Sequence, residues 1–495
     1  MKSIAEIFKY LKPILVSYHG VSDFQLEIKD VTNNSNEVYS GILFVAISGN
    51  TIDSHQFLPQ VINAGAKAVV VSESYSETFP DIPMFKVKDC YHAWAILVDL
   101  FFDSPGKDMV FHTITGTNGK TSTAYFLRHI LNFDIRRKTG LFSTISIHNG
   151  DDERVSNGTT PDARYFHSVL SEMRCHHVTD VVMESSSHGL SQHRTAPILF
   201  HTAAFTNLTG DHLNYHGTME RYFQAKCILF REMLLPEAAC VINIDDIYGK
   251  RLFKDLSKNS SIRLLPFSIS GEDAFCSLRK AEYTSNDTTI YLKWDGCDER
   301  ITIPLCGIFN MANTITAMLM AFGAGISLPL IYESIASLPQ VPGRLQRFRL
   351  SSGAIAFVDY AHTDDALERA LLSLRSILKP DGKIVTVFGC GGDRDKTKRP
   401  RMGAIAEKLS DYVFVTSDNP RTEDPMSIIA DILKGMSLNS KRHFVQKDRE
   451  TAIRAAASLV KNGDFLLVAG KGHEDYQEIC HNRLHFNDME ILKSI

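Results

Sequence analysis

Between Met109 and Ser122 the chain reads MVFHTITGTNGKTS, an apolar, β-branched run that breaks into a glycine turn and passes at once to a lysine and two hydroxyl residues. Val110, Ile114 and their neighbours suit a buried parallel strand. Gly116 and Gly119, with Thr117 and Asn118 between them, let the backbone turn tightly enough to aim its N–H groups at an anion. Lys120 then offers a point charge to β- and γ-phosphates, and Thr121 a hydroxyl to Mg²⁺. The usual phosphate loop has four residues between its glycines, whereas the position five before Gly119 is Ile114, so Gly116–Thr121 is a shortened variant. A strand that delivers a nucleoside triphosphate to the start of a helix belongs in an α/β sheet.

The rest of the chain agrees. Strand-like and helix-like segments alternate almost throughout, which predicts α/β architecture with largely parallel sheets. At 495 residues one core is too few, and three domains are expected, over residues 1–106, 107–339 and 340–495. The first carries SGILFVAISG and AKAVVVSES as strands around a helical HQFLPQVINAGA, after an amphipathic opening helix. The second continues from the glycine loop through strands at Asp180–Met183, Phe200–Thr206 and Ala239–Ile244, with a helix over Met219–Leu234. The third begins near Pro342-Gly343-Arg344, which suits a hinge, and repeats strand and helix through AIAFVDYA, KIVTVFGC, DYVFVTS and DFLLVAG. In open α/β sheets ligands gather at the carboxyl ends of such strands.

Charge narrows the partners. With 53 basic and 57 acidic residues the formal charge is -4, so no long-range field draws nucleic acid or anionic membrane. The densest basic cluster, Arg394–Arg401, reads from charge alone as an anion site or a solvated helix entrance, the second being favoured. No window supplies the apolar run of a membrane-spanning helix, the start lacks a signal-peptide core, and nine cysteines without a regular framework fit a reducing cytosol.

Polar residues follow the strands of the second region. Glu184 ends DVVM, Asn207 follows AAFT, and Asp211-His212 lie just beyond. A carboxylate and an imidazole beside Thr121 could hold Mg²⁺; equally, Glu184 could cap the next turn and His212 could be structural. Lys226, in the helical YFQAKCILF, reads locally as a snorkelling surface lysine. Ser185-Ser186-Ser187-His188-Gly189 lacks the glycine that a nucleophile elbow needs two residues before its serine, so a hydrolase triad is excluded. Gln192 and Arg194 offer directional donors to a sugar or carboxylate.

Taken in order, GTNGKTS, NGTTPDA (157–163), MESSSHGLSQHR (183–194), FTNLTGDHLNYHGTMERYFQAK (205–226), GIFNMAN (307–313), VPGR (341–344), DYAHTDDALE (359–368), GCGGDRDKTKRP (389–400), DNPR (418–421) and GKGHEDYQ (470–477) resemble the Mur ligases of peptidoglycan synthesis. The narrower resemblance is to the branch that adds the third stem-peptide residue to UDP-N-acetylmuramoyl-L-alanyl-D-glutamate. It implies a small α/β N-terminal domain for UDP, a central P-loop-type ATPase domain and a C-terminal Rossmann-like domain for the incoming amino acid. It also implies that ATP phosphorylates the D-glutamate side-chain carboxylate and that an amine attacks the acyl phosphate. By the same resemblance Lys120, Glu184, His212 and Lys226 are catalytic. Gly116, Thr117, Asn118, Gly119, Lys120, Thr121, Asn313, Arg344 and Asp359 contact ATP. Ser35, Asn157, Thr159, Thr160, Ser186, Gln192 and Arg194 hold the UDP-muramyl dipeptide. Lys226 aligns with a lysine carbamylated by CO₂, which turns a cation into an oxygen ligand, so Mg²⁺ would meet Thr121, Glu184, His212 and that carbamate.

The acceptor turns on Asp418-Asn419-Pro420-Arg421. Members that use meso-diaminopimelate share this tetrapeptide, and lysine-adding members lack the arginine. A guanidinium can grip the second carboxylate of diaminopimelate bidentately. Arg394, Gly470 and Glu474 match other positions of that pocket, with Glu474 suited to an ammonium. The expected partners are these small molecules and ATP, with no nucleic acid or membrane, for a monomer in the cytoplasm. Two departures stand out: Asn34-Ser35-Asn36 replaces the usual Asp-Ser-Arg of the UDP domain, and Asp364 replaces a proline after DYAHT. A lysine-adding ligase and a non-catalytic nucleotide- or UDP-sugar-binding homologue are the alternatives, while DNPR and GKGHED disfavour a folate-polyglutamylating relative.

Overall fold

The computed structural model describes residues 1–20, 23–49, 52–437 and 441–495. Its architecture is α/β. The chain divides into two compact units, Met1–Cys276 with Thr316–Ile331, and Ser277–Ile315 with Tyr332–Ile495.

Besides a two-stranded pairing of Lys2–Ser3 with Glu27–Ile28, the first unit holds strands of two larger sheets. The smaller has five strands in the order Leu15–His19, Met84–Val87, Ala68–Ser72, Leu43–Val45, Val31–Thr32, parallel except for its first pair. The opening helix Ile4–Leu11 starts at a capping box in which Ser3 and Glu6 satisfy each other's backbone N–H, and it buries Ile4, Ile7 and Leu11. Helix Cys90–Phe101 covers the same core. Arg164 ties this sheet to the rest of the unit through Asp30 at 2.7 Å and the Val31 carbonyl at 2.7 Å.

In the larger sheet the strand predicted from the glycine loop is Val110–Thr115, and it lies between Asp180–Glu184 and Phe200–Phe205. Both neighbours run parallel to it, with Glu184 opposite Ile114 and Phe205 opposite Thr115. The register therefore brings three polar strand ends to one edge, as the sequence pattern requires. Thr139–Phe142 extends the parallel run on one side, and Leu234–Asn243 and Arg263–Ser268 on the other.

The second unit contains an antiparallel hairpin, Thr288–Trp294 with Cys297–Ile303, and a six-stranded sheet. That sheet runs Gln346–Arg349, Ile355–Asp359, Phe465–Ala469, Ile384–Phe388, Tyr412–Val415, His443–Val445, and only the first pairing is antiparallel. The four strands read from sequence are all present. Asp364 and Asp365 sit in the first turn of helix Asp364–Ile377, where Thr363 caps it, so aspartate replaces proline at a place that favours negative charge. Among the described residues no helix is long and apolar enough to cross a membrane.

Candidate active site

The loop after Val110–Thr115 is shaped by two glycines. At Gly116 (φ +150°) a Cβ would overlap the Thr206 hydroxyl, so only glycine lets the loop close against the neighbouring strand end. Gly119 (φ +89°) is the cap of helix Lys120–Phe133, whose first N–H groups open toward the loop. Neutral bonds brace it. Thr206 Oγ1 donates to the Asn118 carbonyl at 2.6 Å, and the backbone N–H groups of Thr117 and Asn118 donate to the Asn207 carbonyl and side chain at 2.9 and 3.0 Å. Lys120 folds back onto the carbonyls of Gly116 and Thr117 at 3.0 and 2.8 Å.

Glu184 caps a turn, as one of its two readings has it. Its buried carboxylate accepts from the Thr144 backbone N–H at 2.7 Å and hydroxyl at 3.1 Å, and also from Thr121 Oγ1 at 3.1 Å. One side chain thus links that turn to the first residue after Lys120. Among the described residues no three His, Cys, Asp or Glu side chains form a metal cage of their own. The Thr121–Glu184 pair nevertheless fits Mg²⁺, which keeps few protein oxygens and takes phosphates and water for the rest.

Lys226 corrects the local reading. It is not a surface lysine but is 1% exposed, on the buried face of helix Met219–Glu232. Its Nζ donates to the Gly116 carbonyl at 2.9 Å and lies 4.7 Å from the centre of the Tyr222 ring. Two lysines therefore share one carbonyl. Burial, reinforced by Lys120, holds the Lys226 pKa well below the usual lysine range. A signal was present in the sequence: Tyr222, Lys226 and Leu229 recur at helical spacing, so the lysine sits on the apolar stripe.

His212 takes a left-handed conformation (φ +53°) and lies 3.4 Å from the Asp211 carboxylate. His188 stands edge-on to it with ring centres 5.0 Å apart, and packs on Tyr215 at 4.0 Å. Burial first, then His212 and His216, lowers His188 to about 4. His216 Nε2 is bonded to Ser187 Oγ at 2.9 Å and stacks on Tyr222, and among the described residues no carboxylate pairs with it, so this Ser–His pair makes no triad.

Most of the expected dipeptide-binding residues converge. Thr160 Oγ1 donates to the Glu184 carbonyl and accepts from Ser186 N–H, both at 2.9 Å, while Thr159 meets Thr144 at 3.0 Å. Arg194 donates to the Thr160 carbonyl at 2.8 Å and twice to Gln192 Oε1. The Ser186 hydroxyl caps helix Ser187–Ser191. Asn157 is exposed, and Ser35 lies apart on the short turn Ser35–Glu37, whose cap is Asn34.

In the second unit, Asn313 is buried on helix Ile308–Gly323. Arg344 lies over the Tyr360 ring at 5.0 Å, and Gly343 packs where a Cβ would overlap the His473 backbone, a close contact rather than an open hinge. Burial pushes Asp359 up against the opposing pull of Arg344 and of N–H groups from Leu345 and Ala361. The loops after three strands meet around Asp418–Arg421. At Gly470 (φ +116°) a Cβ would overlap the Asp418 carboxylate, and at Gly392 it would overlap the Pro420 carbonyl. Glu474 accepts from Asn419 Nδ2 at 2.8 Å and from the fully buried Lys471 at 3.2 Å, and burial raises its pKa. Arg394 is exposed, with its stem and Arg421 both beside Gly391. Within the basic cluster Arg399 departs from the solvated reading: it is fully buried against Glu423 and Asp431 at 2.9 and 3.0 Å.

Residues 114–321 match the Mur ligase middle domain, and residues 343–472 match the Mur ligase, glutamate ligase domain. The UDP-N-acetylmuramoyl-L-alanyl-D-glutamate–2,6-diaminopimelate ligase of Clostridium tetani is 36% identical over 96% of both chains. That of Aquifex aeolicus is 38% identical over 97% of this chain and 96% of its own. The chain belongs to the Mur ligase family. A solved diaminopimelate ligase of that family superposes with a TM-score of 0.71 at 29% identity, covering 100% of this chain and 98% of the other. As a Mur ligase the chain carries more site residues than local motifs revealed. Thr144, Thr206 and Tyr222 brace the loop and its lysines, and Lys471 and Glu478 brace the second pocket; Thr144 and Glu478 lie outside the quoted motifs, and Thr206, Tyr222 and Lys471 lie inside them without standing out, because each acts through a partner distant in sequence.

Proposed function

We propose that this Mur ligase is an ADP-forming enzyme that uses ATP to join meso-2,6-diaminopimelate to the D-glutamate side-chain carboxylate of UDP-N-acetylmuramoyl-L-alanyl-D-glutamate. The observation that carries it is the pairing of Lys120 and Lys226 on the Gly116 carbonyl of a phosphate loop. Gly116, Thr117, Asn118 and Gly119 would present N–H groups to the phosphates, and Lys120 would leave its two carbonyls to meet the transferring group. Mg²⁺, when bound, supplies charge compensation to phosphoryl transfer, and Thr121, Glu184, His212 and a carbamate on Lys226 would hold it. The lowered pKa of Lys226 favours the neutral amine, the form that adds CO₂, and the anionic product would sit well beside Lys120.

Asn313, Arg344 and Asp359 would complete the nucleotide contacts. Ser35, Asn157, Thr159, Thr160, Ser186, Gln192 and Arg194 would hold the UDP-muramyl dipeptide, with Gln192 fixing the Arg194 fork. Arg394, Asp418, Asn419, Pro420, Arg421, Gly470 and Glu474 would hold diaminopimelate, Arg421 at the second carboxylate. Soluble nucleotide precursors place the reaction in the cytoplasm, and a monomer suffices for it. The test is ADP release with purified UDP-muramyl dipeptide. Release that depends on diaminopimelate is expected. Equal stimulation by lysine would overturn the acceptor assignment, and no release with either would overturn the ligase itself.

A further inference from the structure

The backbone of Arg421 is held in an unusual place. Its φ of +50° is left-handed, a conformation that a non-glycine residue keeps only where its surroundings fix it. They do so through the hairpin Tyr476–Ile479 with Asn482–His485: Arg421 N–H donates to the Glu478 carbonyl at 3.0 Å, and Cys480 N–H donates to the Arg421 carbonyl at 2.8 Å. Glu478 N–H in turn donates to Asn419 Oδ1 at 2.9 Å, which also receives Lys471. The Glu478 backbone thus ties Arg421 to the Asn419–Glu474 side of the pocket.

The Glu478 side chain adds a separate link. Its Oε2 lies 3.2 Å from Arg421 Nε, while Nη1 donates to the Gly392 carbonyl at 2.7 Å. Gly391 lies so close that a Cβ there would stand 3.0 Å from Nη1. Among the described residues Arg421 Nη2 has no hydrogen-bond partner, and the residue keeps 20% side-chain exposure, enough to meet a small ligand. A guanidinium fixed along Nε and Nη1 presents its remaining donors in one plane, which is what bidentate carboxylate recognition needs.

We propose that Glu478 is a specificity-determining positioning residue, which orients the Arg421 fork for the acceptor's second carboxylate. This rests on reading Arg421 as the group that grips that carboxylate. Glu478 touches no substrate in this account; it acts by holding Nε, so that the Nη edge stays turned to the ligand.

Steady-state kinetics on the full chain, with diaminopimelate and lysine as acceptors, test it. Glu478→Ala leaves the backbone links in place. Its KM for diaminopimelate should rise roughly 5-fold, the effect of one partly exposed ion pair, and its preference over lysine should narrow equally. The kcat at saturation and the KM for ATP should stay within about twofold. Glu478→Gln keeps the length but not the charge that holds Nε, so it should repeat much of the rise. Glu478→Asp is too short to reach Nε and should also repeat the rise, which decides the matter if the alanine chain does not fold. An unchanged or lowered KM in the alanine chain, or an unchanged KM in the glutamine chain, overturns the proposal. Arg421→Ala separates the two readings: if it keeps the preference for diaminopimelate, the reading of Arg421 fails and this one with it. If that preference collapses while Glu478→Ala keeps it, only the role of Glu478 fails.

Discussion

The phosphate loop and the Asp418–Arg421 pocket solve the same problem, holding polar groups still, with different materials. Around Gly116–Thr121 the braces are neutral: the Thr206 hydroxyl, the Asn207 amide and backbone carbonyls, with Glu184 receiving two threonine hydroxyls and a backbone N–H. Around Arg421 the braces are ionic: Glu478 on Arg421, Lys471 on Glu474, Arg399 on Glu423. The difference follows from the ligand each would meet. A polyphosphate brings its own charge and counter-ion to a loop of backbone donors, and the carboxylate there, Glu184, is taken up by hydroxyls and a backbone N–H rather than by a cationic side chain. A zwitterionic amino acid must instead be told from its analogues, and that takes charged groups held in place by opposite charges.

The sharpest way to break this comparison is at the lysine the neutral region buries. Lys226→Ala should lower turnover roughly 10³-fold, as expected for loss of a group that stabilises a transferring phosphoryl. Circular dichroism and urea unfolding should change little, because the lysine's bonds are to a single carbonyl and a threonine hydroxyl. Exhaustive removal of CO₂ should slow the parent chain and leave the alanine chain as it is. Full activity of Lys226→Ala in an ADP-release assay would show that the region works without its buried lysine.

How legible each region was in sequence tracks the same contrast. The glycine loop could be read because its determinants are local: a strand, two glycines, a lysine and a threonine in one run. Glu184 and His212 could be placed at strand ends for the same reason. The ionic braces could not, since Glu478 meets Arg421, 57 positions earlier in the sequence, only once the hairpin has formed, and nothing in DYQEI marks it. Lys226 lies between these cases. Its helix has an apolar stripe on which the lysine falls, yet the usual behaviour of a helical lysine masked that signal. Ser186 shows the limit in the other direction, because a residue matched by family position spends its hydroxyl on a helix cap.

Stability separates the two regions next. Arg449 and Asp488 are both fully buried and doubly bonded, at 2.8 and 2.7 Å, and Arg449 also holds the Ala469 carbonyl at the strand end that leads to Gly470. Asp488→Ala leaves that guanidinium buried without its partner, at a cost of about 3 kcal/mol or more in the second unit. Thr206→Val removes one neutral brace from the phosphate loop and should cost about 1 kcal/mol. Urea unfolding followed by probes in each unit measures both. Equal losses would mean that the ionic and neutral frameworks carry comparable loads.

The smallest expected effect is in acid. His473 is pushed down to about 4 by burial and by Arg344. Between its ordinary value near 6.5 and that point the unfolded imidazole binds a proton that the folded one refuses, so stability is lost as pH falls through this window. In the first unit His167 is likewise lowered to about 4 by burial, but Asp99, 3.4 Å away, is raised by burial from 3.8 to about 6. A raised carboxyl binds its proton first in the folded state and gains stability as pH falls, so this pair offsets itself across most of the window. Unfolding monitored from pH 7 to 4 should therefore show the second unit losing stability through His473, with a shallower acid slope in His473→Asn, while the first unit loses stability through His188 rather than through His167. Asp99→Asn should steepen the first unit's acid slope by leaving His167 uncompensated. If Asp99→Asn flattens that unit's response instead, the two groups share a proton as an ion pair, and the offset between them would vanish.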